Sequence, residues 1–505
     1  MQNSKKIKYN LIIGVAGQFL TIALGIVLPR LVLTSYGSEV NGLINSVTQI
    51  YSYVGLLEAG IGTATIQALY KCIGSDDRNQ TNAVLAATNR YYNKTGVLYA
   101  FAIVVFAVAY PLLVKTSLPI ATVVLVIIFN GAGSVVGFFV QQKYLLLLRA
   151  EGKHYVDSIL TTTITVIRNV AKIVLMAMGM DVVWVQMIAM VIGLIQMVCI
   201  TVYVKKNYKW IDLKVKPDYA AISQSKNVLI HQVSTLVFNN TDTIILTVFC
   251  GLKVVSVYSL YTLLFGMISN TLSVVVTSIV FAIGQAYHSD KERFQRLYDA
   301  YELGYMTLVF ALYSVANFFI LPFIKCYTAG VTDIEYIDSR LPLLFISTYL
   351  LSCGRSAPGQ AINIAGHFKD TQSRSIFESV LNLTISLVAV QFLGIYGVLI
   401  GTIAALVYRA NDMILYASHR ILNRKARITY KRWIVNTVVF IGILFLNRYI
   451  TVDLSSYGRI ALFCIPYTAG TLLLFFGAAV LTNWDTARDM LGLLQSILGK
   501  NKKQG

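Results

Sequence analysis

Residues 36–71, YGSEVNGLINSVTQIYSYVGLLEAGIGTATIQALYK, decide how this chain is read. The segment leaves a glycine turn and then stays apolar for about the thickness of a bilayer. Its interior holds a carboxylate, Glu58, close to Gly60 and Gly62. An ionised group at that depth costs about 2.5–3.5 kcal/mol on insertion scales, so it needs a partner or water. Upstream, Pro29-Arg30 sets a cation inside a second apolar span. The two segments read as a helix pair bordering a polar cavity within the membrane. A plainer reading has Glu58 and Arg30 simply locking helices together.

The rest of the composition agrees with a membrane setting. Of 505 residues, 56% are hydrophobic and only 13% charged, where a soluble domain carries about a quarter. With a mean hydropathy of +0.66, the expected class is an all-α polytopic membrane protein. The net charge of +19 does not point to nucleic acid, because the basic residues fall in short loops between apolar runs, where they orient the chain. Six cysteines show no CxxC spacing and read as packing residues. The basic start MQNSKKIKYN precedes an apolar run that is too long for a signal peptide and lacks an A-x-A site, so it reads as a first span.

Apolar runs of about 20 residues give fourteen expected spans, near 10–33, 42–70, 95–114, 119–147, 155–178, 182–204, 227–250, 254–286, 300–325, 341–366, 372–393, 397–419, 433–450 and 457–482. With the first residues inside, the inner segments collect 31 Lys/Arg and the outer loops six. That asymmetry predicts both termini on the cytoplasmic side. Five cations remain within spans: Arg30, Arg168, Lys172, Arg355 and Arg409.

The chain also repeats. Gly37 of SYGSEV and Gly251 of FCGLKV, Asp76 and Asp290, and Gly152 of AEGKHY and Gly366 of IAGHFK are each 214 residues apart. Landmarks at one offset predict two six-helix halves, and an even number of spans per half makes the repeat parallel. The expected organisation is an N-terminal lobe over 1–204, a basic linker over 205–226 and a C-terminal lobe over 227–419. Two additional helices over 433–482 and a tail over 483–505 follow.

Motifs for enzymatic chemistry are missing. No GxxxxGK[ST] marks a P-loop, no HExxH or Cys/His cluster has metal-ligand spacing, and no cofactor is expected. The five histidines are scattered. The signal that remains is the set of ionisable residues within spans. Arg168 and Lys172 are four apart and share a helical face. Arg355 lies in LLSCGRSAPGQ, where Gly354 and Pro358 can loosen a helix. Arg409 and Asp412, three apart, suit a structural pair. Asp242 sits in the polar run NNTDT, near the repeat mate of Arg30, and Glu378 reads as a shallow helix-start carboxylate. Cations in the middle of both halves predict a substrate that is anionic where it sits.

On IIGVAGQFLTIALGIVLPRLVLTSYGSEVNGLINSVTQIYSYVGLLEAGIGTA, the AEGKHY and IAGHFKDTQ turns and the duplicated fourteen-span layout, the chain resembles the multidrug/oligosaccharidyl-lipid/polysaccharide (MOP) exporter superfamily. Within it, the resemblance is to the Wzx-like polysaccharide flippases of bacteria. That resemblance covers most of the chain; the first stretch is fairly specific and the turns are weak alone. It implies a V of two lobes in the bacterial inner (cytoplasmic) membrane. Such a protein flips an undecaprenyl-pyrophosphate-linked oligosaccharide, a repeat unit of capsule, O-antigen or exopolysaccharide, to the outer leaflet. It also implies membrane lipids, a polysaccharide polymerase and glycosyltransferases as partners, with no nucleic acid. Cavity cations would take the pyrophosphate, which makes Arg30, Arg168, Lys172, Arg355 and Arg409 the candidate substrate-binding residues. Glu58, Asp242, Glu378 and Asp412 would be charge partners or ion-coupling groups. No strict motif maps onto each arginine, so only the general role carries over. A drug or cation antiporter of the same superfamily would want carboxylates to dominate its cavity and usually has twelve spans. A membrane enzyme of polysaccharide assembly is disfavoured by the short outer loops.

Overall fold

A membrane interior offers no water to backbone groups, so a chain this apolar satisfies its N–H and C=O groups within helices. The computed structural model describes residues 2–55, 61–222, 238 and 240–490, and among them no strand occurs. The elements are α1 (Gln2–Val54), α2 (Ile61–Gly74), α3 (Arg78–Leu113), α4 (Ile120–Val140), α5 (Gln142–Ala150), α6 (His154–Ala177), α7 (Val182–Asn207) and α8 (Leu252–Ser289). They continue with α9 (Lys291–Tyr327), α10 (Leu341–Gly354), α11 (Ser356–Ile364), α12 (Phe368–Leu393), α13 (Ile395–Tyr416), α14 (Arg427–Leu446) and α15 (Tyr457–Thr482).

Among the described residues, ten helices are long and apolar enough to cross a membrane. They coincide with expected spans three to six, eight, nine and eleven to fourteen. Spans two and seven run into residues outside the description, Glu58 and His231 among them. Span ten is not one helix. It breaks at Arg355 into α10 and α11, where Pro358 can give no N–H to the Gly354 carbonyl. The expected separation of the spans at 10–33 and 42–70 also differs from the outcome: α1 runs through the first and into the second as far as Val54, bending at Gly37 (φ 82°, ψ 177°) without an intervening loop. Glycine alone takes that φ without strain.

The chain divides into two compact units, Met1–Val257 with Gly330–Ile334, and Tyr258–Ala329 with Glu335–Gly505. In the first, α1 packs on α6, and α4 on α3 and α7. The second half of α1 is knitted by small and polar groups, as suits helices that have no hydrophobic drive to associate in lipid. Asn41 Nδ2 donates to Ser256 Oγ at 2.7 Å, Thr247 Oγ1 to Ser46 Oγ at 2.9 Å, and Ser38 Oγ to Asp333 Oδ1 at 2.7 Å. A Cβ on Gly42 would overlap the backbone of Leu252. The outer face of α3 (Val97, Phe101, Val104, Val108, Leu112) is exposed and apolar, a surface for lipid tails.

In the second unit α12 packs closely along α13, and α9 carries α10, α14 and α15. The α12–α13 approach uses Gly397 and Gly401: side chains there would overlap the backbone of Ala389 and the Ser386 side chain. This small-xxx-small spacing is a membrane packing device. Helix α14 is fixed by a buried ion knot in which Arg432 and Arg424 both meet Asp299 and Glu302. Arg432 is 2% and Glu302 1% exposed, and Thr429 Oγ1 donates to Glu302 at 2.9 Å.

Local geometry repeats as well. Gly37 and Gly251 share a φ of 82° and 84°, and Gly152 and Gly366 one of 70° and 74°. Helices α5 and α11 begin at 142 and 356, and α6 and α12 at 154 and 368, again 214 apart. The aspartate landmark shifts by one. The residue that caps α3 as Asp290 caps α9 is Asp77, accepting from Gln80 N, while Asp76 takes a φ of 53°. The first half breaks at Gln141 without a proline. The break therefore belongs to the repeated architecture, and Pro358 fits it rather than causing it.

Candidate functional site

Arg168 and Lys172 lie one turn apart on α6, so the helix aims both at one side. That side borders a cavity of about 620 Å³ in the first unit. Its walls come from α1 near Tyr51 and Ser52, from α4, from the α4–α5 break at Gln141 and Gln142, and from α7 between Gln186 and Met197. Tyr99 of α3 closes one side, stacked on Tyr51 with ring centroids 6.1 Å apart.

The lining is cationic and amide-rich. Among the described residues no Asp or Glu lines the cavity, and neither Arg168 nor Lys172 forms an ion pair. Lys172 Nζ donates to Gln186 Oε1 at 3.1 Å. The guanidinium of Arg168 reaches Thr165 Oγ1 only at 3.5 Å, which leaves most of its five donors available. Asn130, Gln141, Gln142, Asn169 and Gln196 add carboxamides, each able to donate and accept. Glycines keep the walls back: a Cβ at Gly133 or Gly55 would meet nothing within 4 Å, and one at Gly193 would lie 3.8 Å from Arg168 Nη1. Two uncompensated cations with carboxamides and tyrosines around them can hold an anion that also carries hydroxyl groups.

The other residues picked from the sequence lie elsewhere. Arg30 is half-buried on α1, where Thr34 Oγ1 donates to its carbonyl at 3.0 Å, and it does not line the cavity. Asp242 is 5% exposed, next to Thr241, whose Oγ1 lies 2.7 Å from Tyr53 OH. Glu58 falls outside the described residues.

Arg355 and Arg409 belong to the second unit and are ion-paired. Glu378 bonds to Arg355 and forms an ion pair with Arg409, whose Nε lies 3.4 Å from Oε2. Asp412 accepts from Arg409 Nη1 and Arg374 Nη1, each at 2.7 Å. Glu378 is therefore not a shallow helix-start carboxylate. Helix α12 begins at Phe368, so Glu378 lies several turns in, and it is 4% exposed.

The carboxamides carry no charge and so do not stand out among the ionisable residues of the sequence. Their signal is a local one: Gln186, Gln196 and Asn130 are polar side chains inside long apolar runs, where each needs a partner or water. The Glu302–Arg432 knot is likewise hidden in the sequence, where Arg432 reads as a loop residue although α14 begins at Arg427.

No protein-family model matches the chain, and no curated protein is similar to it in sequence. Solved structures are similar in fold. The lipid II flippase MurJ in its inward closed conformation gives a TM-score of 0.64 at 10% identity, over 94% of this chain and 99% of that one. An inward-facing multidrug resistance MATE family transporter of the MOP superfamily gives 0.61 at 16% identity, over 80% and 94%. A MATE in the bent conformation gives 0.54 at 14% identity, over 85% and 96%. The chain thus carries the fold of the MOP-superfamily transporters.

Proposed function

We propose that the protein is a membrane flippase that moves a lipid-linked oligosaccharide, joined to undecaprenyl through pyrophosphate, from the inner to the outer leaflet. The observation that carries this reading is the first-unit cavity, where Arg168 and Lys172 stand without a described carboxylate among carboxamides and tyrosines. A pyrophosphate needs several charge-assisted donors to replace its lost water, and sugar hydroxyls match carboxamides that donate and accept. The fold shared with a lipid II flippase supports the same direction. A cation antiporter is less well matched, because an organic cation entering this cavity meets two like charges.

The test is transport in vesicles. Purified protein is reconstituted with a defined pyrophosphate-linked sugar, and appearance of the sugar on the far leaflet is followed with an impermeant sugar-modifying enzyme. Export that needs the protein and is competed by the pyrophosphate-linked compound, not by lipophilic cations, supports the proposal. Counter-transport of lipophilic cations without movement of the lipid-linked sugar refutes it.

A further inference from the structure

The lysine-rich segment after α7 is not a slack tether. Residues 208–221 are strapped to the first turns of α3. Asn82 Nδ2 donates to the Trp210 carbonyl and Asp212 N to Asn82 Oδ1, both at 3.1 Å. Asp218 N donates to the Ala83 carbonyl at 3.1 Å, and Gln80 Nε2 to Asp218 Oδ2 at 2.7 Å. The Ala221 N–H and the Gln80 amide hold the Asp218 carboxyl below the usual range, so it stays ionised and the anchor persists. Tyr208 is buried at the other end, bonded to Glu151 and accepting from Lys153 Nζ at 2.7 Å.

Side chains between these anchors alternate. Trp210, Ile211 and Leu213 pack against the hydrophobic core around Val84, Leu147 and Val204. Lys209, Lys214 and Lys216 are exposed, as are Lys205 and Lys206 at the end of α7. Among the described residues none of the five forms an ion pair. Their location follows from α7. The strap leaves the last turn of α7, a span whose exposed apolar residues Val198 and Val202, which lipid tails cover, end within about a turn of Lys205 and Lys206. The lysine run therefore starts where the apolar face of α7 ends, and the ligand next to such an edge is a phospholipid phosphate.

We propose that this strap is a binding surface for anionic phospholipid headgroups, with Lys209, Lys214 and Lys216 as its main cations. A lysine beside an anionic membrane surface contributes about fivefold in affinity, so three together supply about a hundredfold. The surface is separate from the cavity, and its test does not depend on what the cavity carries.

The experiment uses the full chain in detergent, with native mass spectrometry and titration of phosphatidylglycerol against phosphatidylcholine. Wild type should prefer phosphatidylglycerol, and about 0.5 M salt should erase the preference by screening. Replacing Lys209, Lys214 and Lys216 with Gln should weaken phosphatidylglycerol binding about a hundredfold without lowering the melting temperature. Gln at Lys115 and Lys325, at the other ends of their helices, should leave it unchanged. Equal binding of the two lipids by wild type, or undiminished phosphatidylglycerol binding by a folded triple variant, overturns the proposal. Tight capture of an acidic polypeptide with no preference for phosphatidylglycerol does so too, by assigning the strap to a protein.

Discussion

Neutralising the two cavity cations separates a substrate role from a packing role. Side chains at i and i+4 stand about 6 Å apart. At an effective dielectric near 20, two unit charges at that distance repel by about 3 kcal/mol, and each attracts a phosphate charge at about 4 Å by about 4 kcal/mol. After desolvation, one hydrogen bond to a charged group is worth about 1.5–3 kcal/mol, which is about 10- to 150-fold in affinity. Arg168→Gln and Lys172→Gln should therefore each lower transport at limiting substrate by about one to two orders of magnitude. Arg168→Lys should lose less, since charge survives while the bidentate fork does not. Folding should be unaffected or slightly improved, because the described partners lost are only Thr165 at 3.5 Å and Gln186 at 3.1 Å and the mutual repulsion is relieved. Initial rates against substrate concentration, alongside thermal melts of the purified variants, make the measurement. Wild-type transport by an R168Q/K172Q double variant would refute the reasoning. So would a large fall in melting temperature with activity per folded molecule unchanged.

Other expectations follow from single features. Gly193→Leu should fill the cavity next to Arg168 and abolish transport while the melting temperature stays within a few degrees. Glu378→Gln should destabilise the second unit by about 3 kcal/mol, because Arg355 loses its carboxylate and the buried Arg409 keeps only Asp412; adding Arg409→Met should recover part of the melting temperature. Gly37→Ala should cost about 1–2 kcal/mol, since a side chain at φ 82° is strained and its Cβ would press on Asp333. Cysteines placed at 209 and 333 of an otherwise cysteine-free chain should be labelled by an impermeant reagent at 333 and not at 209 in intact cells, as the distribution of basic residues requires. The reverse pattern would overturn the topology.

What the sequence made legible tracks the range of each force. Lipid forces helices on any long apolar run, so the ten described spanning helices coincide with ten apolar runs found by hydropathy. The glycine landmarks were legible because a positive φ is a local demand, met at Gly37, Gly152, Gly251 and Gly366 alike. That Arg168 and Lys172 share a face follows from helix period alone. Which intramembrane charges are compensated did not follow, because pairing is tertiary. Arg355 meets Glu378 across 23 positions and Arg424 meets Glu302 across 122, separations at which neither residue type nor spacing names the partner. The place of Glu378 in its helix is hidden for a related reason, since it depends on where α12 starts, and no side-chain cap marks that start.

The two halves of the chain share a backbone plan and diverge in what fills it. At the 214-residue offset, Arg168 and Lys172 correspond to Asn382 and Ser386. Both of these are buried against α13: Asn382 Nδ2 donates to Thr402 Oγ1 at 2.9 Å and Ser386 Oγ to the Val398 carbonyl at 3.3 Å. Gly397 and Gly401 let α12 and α13 close on each other there, leaving no space between them for a solute. In the first half the corresponding pair, α6 and α7, carries long cations against Gln186, Gly193 and Gln196, and a cavity opens. The break between short helices differs likewise. Gln141 lines the cavity in one half, whereas Arg355 in the other is held by Glu378. Closing α12 on α13 removes the room that uncompensated cations need, and the second half accordingly carries its arginines against carboxylates. One repeat unit thus leaves two cations beside a cavity without a described carboxylate, and the other holds its arginines against carboxylates. A duplicated chain that moved its substrate symmetrically would need neither difference.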